Sequence, residues 1–425
     1  MRNNLSFKIL FAICVLVLTK QATHAEDAVK SATTKQQAVH VTPQVDIELQ
    51  AIRSGYDRKT CLVHPRPGLI PGNPATVVVT MQELLLSGSD IYNSQFETVT
   101  KDEGKTWSAP VELKQTLGRR RIEKGMEENI ADFWPMWHQK TGVLLGTGHT
   151  VRYLGERFAP PHSRSTAYSV YNARDQTWSR WQELDMPPLA EFTMEGAGST
   201  QRVDLPNGEI LLPIYYSLPG TIKDVFTSQN VSMVVRCAFD GTTLKYLEHG
   251  DAITTPSGRG FSEPSLVHFN GRYHLTLRND AHSYVCTGTD GLHFGKPQHW
   301  TFDDGTDLGS YNTQQHWVTM PDALYLVYTR RGAKNDHVFR HRAPLFIAQV
   351  DPERMCVIRK TEQVLVPERG ARLGNFGIAK ISDTESWVTV AEWMQTTSPN
   401  PHDSTVCEKY GSDNTVWLAK IRAEK

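Results

Sequence analysis

An all-β, six-bladed β-propeller is the fold that three features of the chain predict. Six β-rich runs, each opened by a Gly- or Asp-bearing turn, recur about every 50–65 residues, enough for a four-stranded sheet and its turns. A second set of turn-like peptides follows the first in the same rhythm. Long helical periodicity is absent throughout. A pair of β-sandwiches is the competing all-β arrangement, and it accounts poorly for the even spacing.

The chain opens with "MRNNLSFK", carrying Arg2 and Lys8, then the short apolar run "ILFAICVLVL", then "QATHA" before Glu26. That order predicts a signal peptide over residues 1–25, with cleavage after Ala25. The apolar run is too short for a stable membrane anchor, so the expected location is secreted or periplasmic. Residues 26–50 are polar and rich in Ala, Thr and Gln, which predicts a flexible leader. The propeller domain is expected over 51–425.

Within that domain the first set of runs is "ATVVVT" (75–80), "TGVLLGTG" (141–148), "NGEILLPIYY" (207–216), "NGRYHLTLRN" (270–279), "DALYLVYTRR" (322–331) and "ESWVTVAEW" (385–393). Each is a turn signal followed by strand-forming residues. The second set is "KDEGKTW" (101–107), "ARDQTW" (173–178), "FDGTTLKY" (239–246), "GTDGLHF" (288–294) and "VDPERMCV" (350–357). Each falls where a hairpin should join two strands. In "KDEGKTW" the Asp102 carboxylate is expected to accept the turn's own N–H groups. Gly104 supplies the left-handed conformation, and Trp107 packs back between neighbouring hairpins.

Composition narrows the function. With 45 Lys and Arg against 46 Asp and Glu, no global field draws the chain to nucleic acid or anionic lipid. Past residue 25 the cysteines are Cys61, Cys237, Cys286, Cys356 and Cys407, an odd and scattered set rather than a disulfide framework. No CxxC, HExxH or nucleotide-binding glycine motif occurs, so neither a metal nor an organic cofactor is expected. The expected partner is a glycan or acidic polysaccharide.

The turns and their flanking strands resemble the sialidase (neuraminidase) superfamily, six-bladed propellers with repeated S-x-D-x-G-x-x-W turns called Asp boxes. "TKDEGKTW" matches that turn well, "GTDGLHF" in degraded form, and the others vestigially. The likeness covers most of 51–420. It implies a carboxylate-binding arginine in the opening strand, and "YDRKTCLV" offers Arg58, with Leu62 four residues on. It implies a general-acid aspartate before the first Asp box, for which "LSGSDIYN" offers Asp90. A glutamate and second arginine follow as Glu263 and Arg278 in "FSEPSLVHFNGRYHLTLRND". A third arginine follows as Arg342, with Arg340 the weaker candidate, in "FRHRAPLFIAQVD". The family's nucleophilic tyrosine is not matched: "ARLGNFGIAKI" has Asn375 and Phe376 there. The nearest replacement is Tyr311 in "DLGSYNTQQHW", a polar and aromatic stretch that also offers His316 for substrate binding.

Such residues suit an acidic sugar. Converging guanidiniums hold a carboxylate directionally, an aspartic acid protonates the leaving oxygen, and a glutamate activates the attacking group. The first functional expectation is therefore an exported glycoside hydrolase acting on sialic acid or a related sugar. A second is a lyase that cleaves uronic-acid polymers by β-elimination, using His138, His149, Tyr216 and Arg236. The third is a propeller that binds glycans without catalysis. Trp134 and Trp137 are expected either to stack on sugar rings or to pack in the core.

Overall fold

The computed structural model describes residue 41 and residues 44–423, apart from 124, 161–162, 223–227, 397–399 and 401–402. The expected signal peptide and residues 26–40 lie outside the described residues. The regular secondary structure of the rest is nearly all strand, in six antiparallel sheets that form the six blades.

Each of the six runs of the first set is the second strand of a blade: Thr76–Leu85, Val143–Tyr153, Ile210–Ser217, Arg272–Arg278, Ala323–Tyr328 and Glu385–Ala391. Each pairs on its inner side with an axial strand, such as Thr60–Ile70 in blade 1 or Ser262–Phe269 in blade 4. The five peptides of the second set each follow the third strand of blades 1 to 5 and lead into a short outer strand.

Both faces of each sheet are covered, because the apolar core is divided among the seams between blades. Ile130 and Trp178 pack against Val78 between blades 1 and 2. Leu145 and Tyr168 meet Ile210 and Leu212 at the next seam. Val327 and Ile347 meet Phe376 and Val388 between blades 5 and 6. Trp387, only 1 % exposed, fills the seam between blades 6 and 1 with Val79 and Met81. The five described cysteines are buried free thiols.

The ring is closed by strand pairing. Asp46–Arg53 runs antiparallel to Val416–Arg422, with Ile47 opposite Ile421 and Leu49 opposite Ala419, and forms the outer strand of blade 6. The ordered domain therefore begins at or before residue 46, inside the stretch 26–50 expected to be a flexible leader. The alternation in "DIELQ" is what pairs it, Ile47 and Leu49 being the half-buried residues between exposed Asp46 and Glu48.

The turn around Asp102 has the expected construction. Its carboxylate accepts Thr106 N–H at 2.9 Å and the hydroxyls of Thr100 and Thr106 at 2.8 and 2.6 Å. Thr106 and Thr100 bonding holds its pKa down to about 2. Gly104 has φ +79°, and a Cβ there would meet Trp387 at 3.1 Å. Trp107 packs against that same Trp387, with ring centroids 6.4 Å apart. Asp240, Asp290 and Asp351 hold their own hairpins similarly, each accepting two backbone N–H groups.

Candidate functional site

The site is built at breaks in the axial strands. His64, Asp132, Ser199, Glu263 and Asn312, one from each of blades 1 to 5, have φ between 45° and 57°. At His64, Asp132 and Glu263 the pairing register also shifts, between Val63 and Arg66, Ala131 and Trp134, and Ser262 and Ser265. A bulge re-aims a side chain that regular pleating would send into a seam. At His64 and Asp132 the strained backbone is tolerated because the strand is paired on both sides of the bulge.

Beneath the bulges lies a polar plug. Arg66 is fully buried, and its Nη2 donates to Ser199 Oγ at 2.8 Å and Gln314 Oε1 at 3.1 Å. Its guanidinium stacks on Trp134 at 4.7 Å. Burial brings its pKa down to about 10. Ser199 Oγ donates onward to Asp132 Oδ1 at 2.8 Å, which His64 Nδ1 also approaches at 2.8 Å. Burial alone would raise the Asp132 carboxyl, but His64, His149 and Arg66 outweigh it and hold the group well below the usual range.

Above the plug opens a funnel lined by Asp90, Glu263, Tyr215, Trp393 and a set of arginines. Asp90 sits on the loop after the second strand of blade 1. Ser89 Oγ and Tyr92 OH donate to its two carboxylate oxygens at 2.8 and 2.7 Å, and Tyr153 OH donates to its carbonyl at 2.7 Å. Glu263 comes from blade 4, three blades round the ring, and is ion-paired with Arg278 Nη1. Arg278 Nη2 donates to Asn312 Oδ1 at 2.6 Å. Arg342 donates to Asn375 Oδ1 at 3.2 Å and to the Asn312 carbonyl. Burial first, then Arg278, Arg372 and Arg340, lowers the Arg342 pKa well below its ordinary value.

Asp90, Glu263, Arg278 and Arg342 thus share one funnel, and Arg340 lies on its lining too. Three other expected site residues do not join them. Arg58 is an exposed residue with its side chain 75 % accessible, paired with Glu408 at 2.7 Å; the buried arginine of that blade is Arg66, in the plug. Tyr311 donates to or accepts from His341 Nδ1 at 2.6 Å under the Arg331 guanidinium, off the lining. His316 is in the plug, 2.7 Å from Ser265 Oγ and edge-on to Trp134. Trp134 is only 4 % exposed and serves as packing.

Of the lyase set, only His149 reaches the funnel. His138 is bonded to Thr141 and the Gly208 carbonyl, Tyr216 packs on Phe192, and Arg236 pairs with Glu209 and Glu248. It is Tyr215, one residue earlier, that lines the funnel, with the Arg164 guanidinium 4.2 Å over its ring.

Several lining or supporting residues escaped the sequence reading: His64, Asp132, Tyr215, Asn312 and Arg372. The signal for two of them was present as a polar residue inside an apolar run, in "CLVHPRPGLI" and "IADFWPMW". Among the described residues, no three His, Cys, Asp or Glu side chains stand together as a metal-holding group.

No family model and no curated protein matches the sequence. Solved structures do match in shape. A protein of unknown function from Dyadobacter fermentans superposes with TM-score 0.59 at 12% identity, over 88% of this chain and 99% of its own. A Hadza microbial sialidase gives 0.58 at 10% identity, covering 87% of this chain and 68% of its own. Trypanosoma rangeli sialidase gives 0.56 at 11%, covering 89% of this chain and 60% of its own. What this chain shares with them is the sialidase-like six-bladed propeller fold.

Proposed function

We propose that the protein is an exported, sialidase-like glycoside hydrolase acting on a terminal acidic sugar of glycans, sialic acid or a relative. The observation that carries this reading is the meeting of Arg278 and Arg342 with two carboxyl groups, Asp90 and Glu263, in one funnel. Arg278 and Arg342 hold the sugar carboxylate through their N–H forks. Asp90 gives its proton to the glycosidic oxygen as the bond to the anomeric carbon breaks. Water adds to that carbon, and its proton passes to Glu263 on the facing blade. Water is the nucleophile in this reading because Asn375 stands where the sialidases have tyrosine and Tyr311 is turned to His341. The incoming carboxylate competes with Glu263 for Arg278, which frees Glu263 to act as base.

The experiment is release of sialic acid from a sialylated glycan by the wild type and by Glu263→Gln. The expected result is a loss of about a hundredfold or more in turnover for the variant. Unchanged turnover removes Glu263 from the mechanism.

The lyase reading keeps one specific support. Burial, outweighing Asp132, brings the His149 pKa down to about 4, so the ring is unprotonated through the neutral range and has a nitrogen free to accept a proton beside Tyr215. A lyase leaves a conjugated double bond, so an ultraviolet scan of the products separates the two. Under that reading His149→Ala, and not Glu263→Gln, abolishes turnover.

A further inference from the structure

The arginines of the funnel are not balanced by its acids. Arg259 is paired with Asp280, Arg278 with Glu263, and Arg152 with Glu128. Asp132 is taken by His64. Among the described residues, Arg164, Arg340, Arg342 and Arg372 have no carboxylate in an ion pair, and Asp90 is the one lining acid left to face them. Two of the four are buried, Arg342 at 4 % and Arg372 at 3 % exposure. The Nε of each has no hydrogen-bond partner among the described residues. Arg342 at least donates to two amide oxygens. Among the described residues, Arg372 is held by ring faces, its guanidinium 3.5 Å over Trp393 and 5.0 Å from Phe339.

A buried guanidinium without an anion is costly to keep, and a chain retains one where a ligand completes it. One sugar carboxylate, seated on Arg278 and Arg342, answers for one of the excess charges. Arg372 and Arg340 come from different segments on the blade 5–6 side, and after burial and Arg278 both depress the pKa of Arg342, so the positive charge there is shared, with Asp90 the lining carboxylate that offsets part of it at Arg372 and Arg340. Trp393 beside them offers an apolar face for a sugar ring.

We infer that Arg372 and Arg340 form a second oxyanion subsite beside the Arg278–Arg342 carboxylate site, and that the substrate is a glycan carrying two anionic groups on one sugar or on adjacent sugars. This rests on the acidic-sugar reading above and narrows its substrate class. The second group is a sulfate ester or a second carboxylate, each of which carries a negative charge and can offer two acceptor oxygens to a guanidinium fork.

The test is calorimetric titration of the full-length protein with four probes: glucuronic acid, sialyllactose, digalacturonate and a glucuronate disaccharide bearing one sulfate ester. The first two carry one anion and the last two carry two. At least one two-anion probe should bind on the order of tenfold or more tighter than the one-anion probes, with a steeper salt dependence. Whichever two-anion probe is preferred identifies the second group. In Arg372→Met the preference ratio should collapse toward one, and Arg372→Lys should restore part of it. Thermal unfolding of Arg372→Met guards against a merely structural effect: removal of an unpaired buried cation should raise the melting temperature, whereas loss of a structural strut would lower it. Equal affinity for one- and two-anion probes, or a ratio untouched by Arg372→Met, overturns the second subsite and leaves the acidic-sugar reading standing. Failure of all four probes to bind overturns both.

Discussion

Asp132 shows how single residues set this site. It lies in an apolar strand with φ 52°, its side chain 13 % exposed, under a ring of positive or polarisable neighbours. Its carboxylate is the principal anion compensating the fully buried Arg66, and it also orients His64. Asp132→Asn preserves the shape and tolerates the left-handed backbone, yet withdraws the charge. Leaving Arg66 without that anion should cost roughly 3 kcal/mol, read as a shift in the urea midpoint at constant slope. An unchanged midpoint would mean that Ser199, Gln314 and the Trp134 face hold Arg66 without that charge. Arg58 teaches the converse. In sequence it is an arginine at the head of the opening strand; in space it stands in water, where its pair with Glu408 contributes little.

At the level of strands and turns, what was legible followed from local physics. The second strand of every blade announced itself because its residues alternate or run apolar after a tight turn, as in "ILLPIYYS". The Asp102, Asp240, Asp290 and Asp351 hairpins were equally plain, since each is stabilised by bonds within a few residues. The axial strands were hard to read for the opposite reason. Their bulges place His64, Asp132 and Glu263 in conformations that only tertiary packing supports, and no local propensity encodes that. The start of blade 3 holds another element-level consequence. Glu195 is buried and accepts Thr166 N–H at 2.7 Å and Thr166 Oγ1 at 2.6 Å. Burial pushes its pKa up to about 7, from 4.5 when unfolded, despite those bonds. Between those values the folded chain holds a proton that the unfolded chain has released. The Glu195 contribution is therefore fully present at low pH, falls as pH rises through that window, and is level above it. Melting temperature against pH should show this decline in the wild type and a smaller one in Glu195→Gln. Parallel curves would show that Glu195 is ionised at no cost.

For the whole molecule, closure is the decisive event. Blade 6 takes three strands from the C-terminal end and its fourth from Asp46–Arg53, so neither terminus makes a complete ring without the other. Ring closure across such a distance in sequence is what the polar leader concealed, for a half-buried strand of eight residues reads as linker until its partner is known. Deleting residues 26–53 should expose the edge Val416–Arg422 and yield an aggregating protein by light scattering, whereas deleting only 26–44 should leave a monodisperse, folded one. Closure also brings Asp90 and Glu263, from facing blades, over the same floor as Arg278 and Arg342. The sequence alone assembled that quartet through resemblance; Asn312, which organises Arg278, Arg259 and Arg342 together, became visible only in three dimensions. The central claim is that this funnel recognises a sugar by its carboxylate. It is tested most directly by titrating the protein with sialic acid and with its methyl ester, in the wild type and in Arg342→Gln. The account predicts that the free acid binds the wild type at least about tenfold tighter than the ester, and that Arg342→Gln removes that difference. Equal binding of acid and ester to the wild type would contradict it.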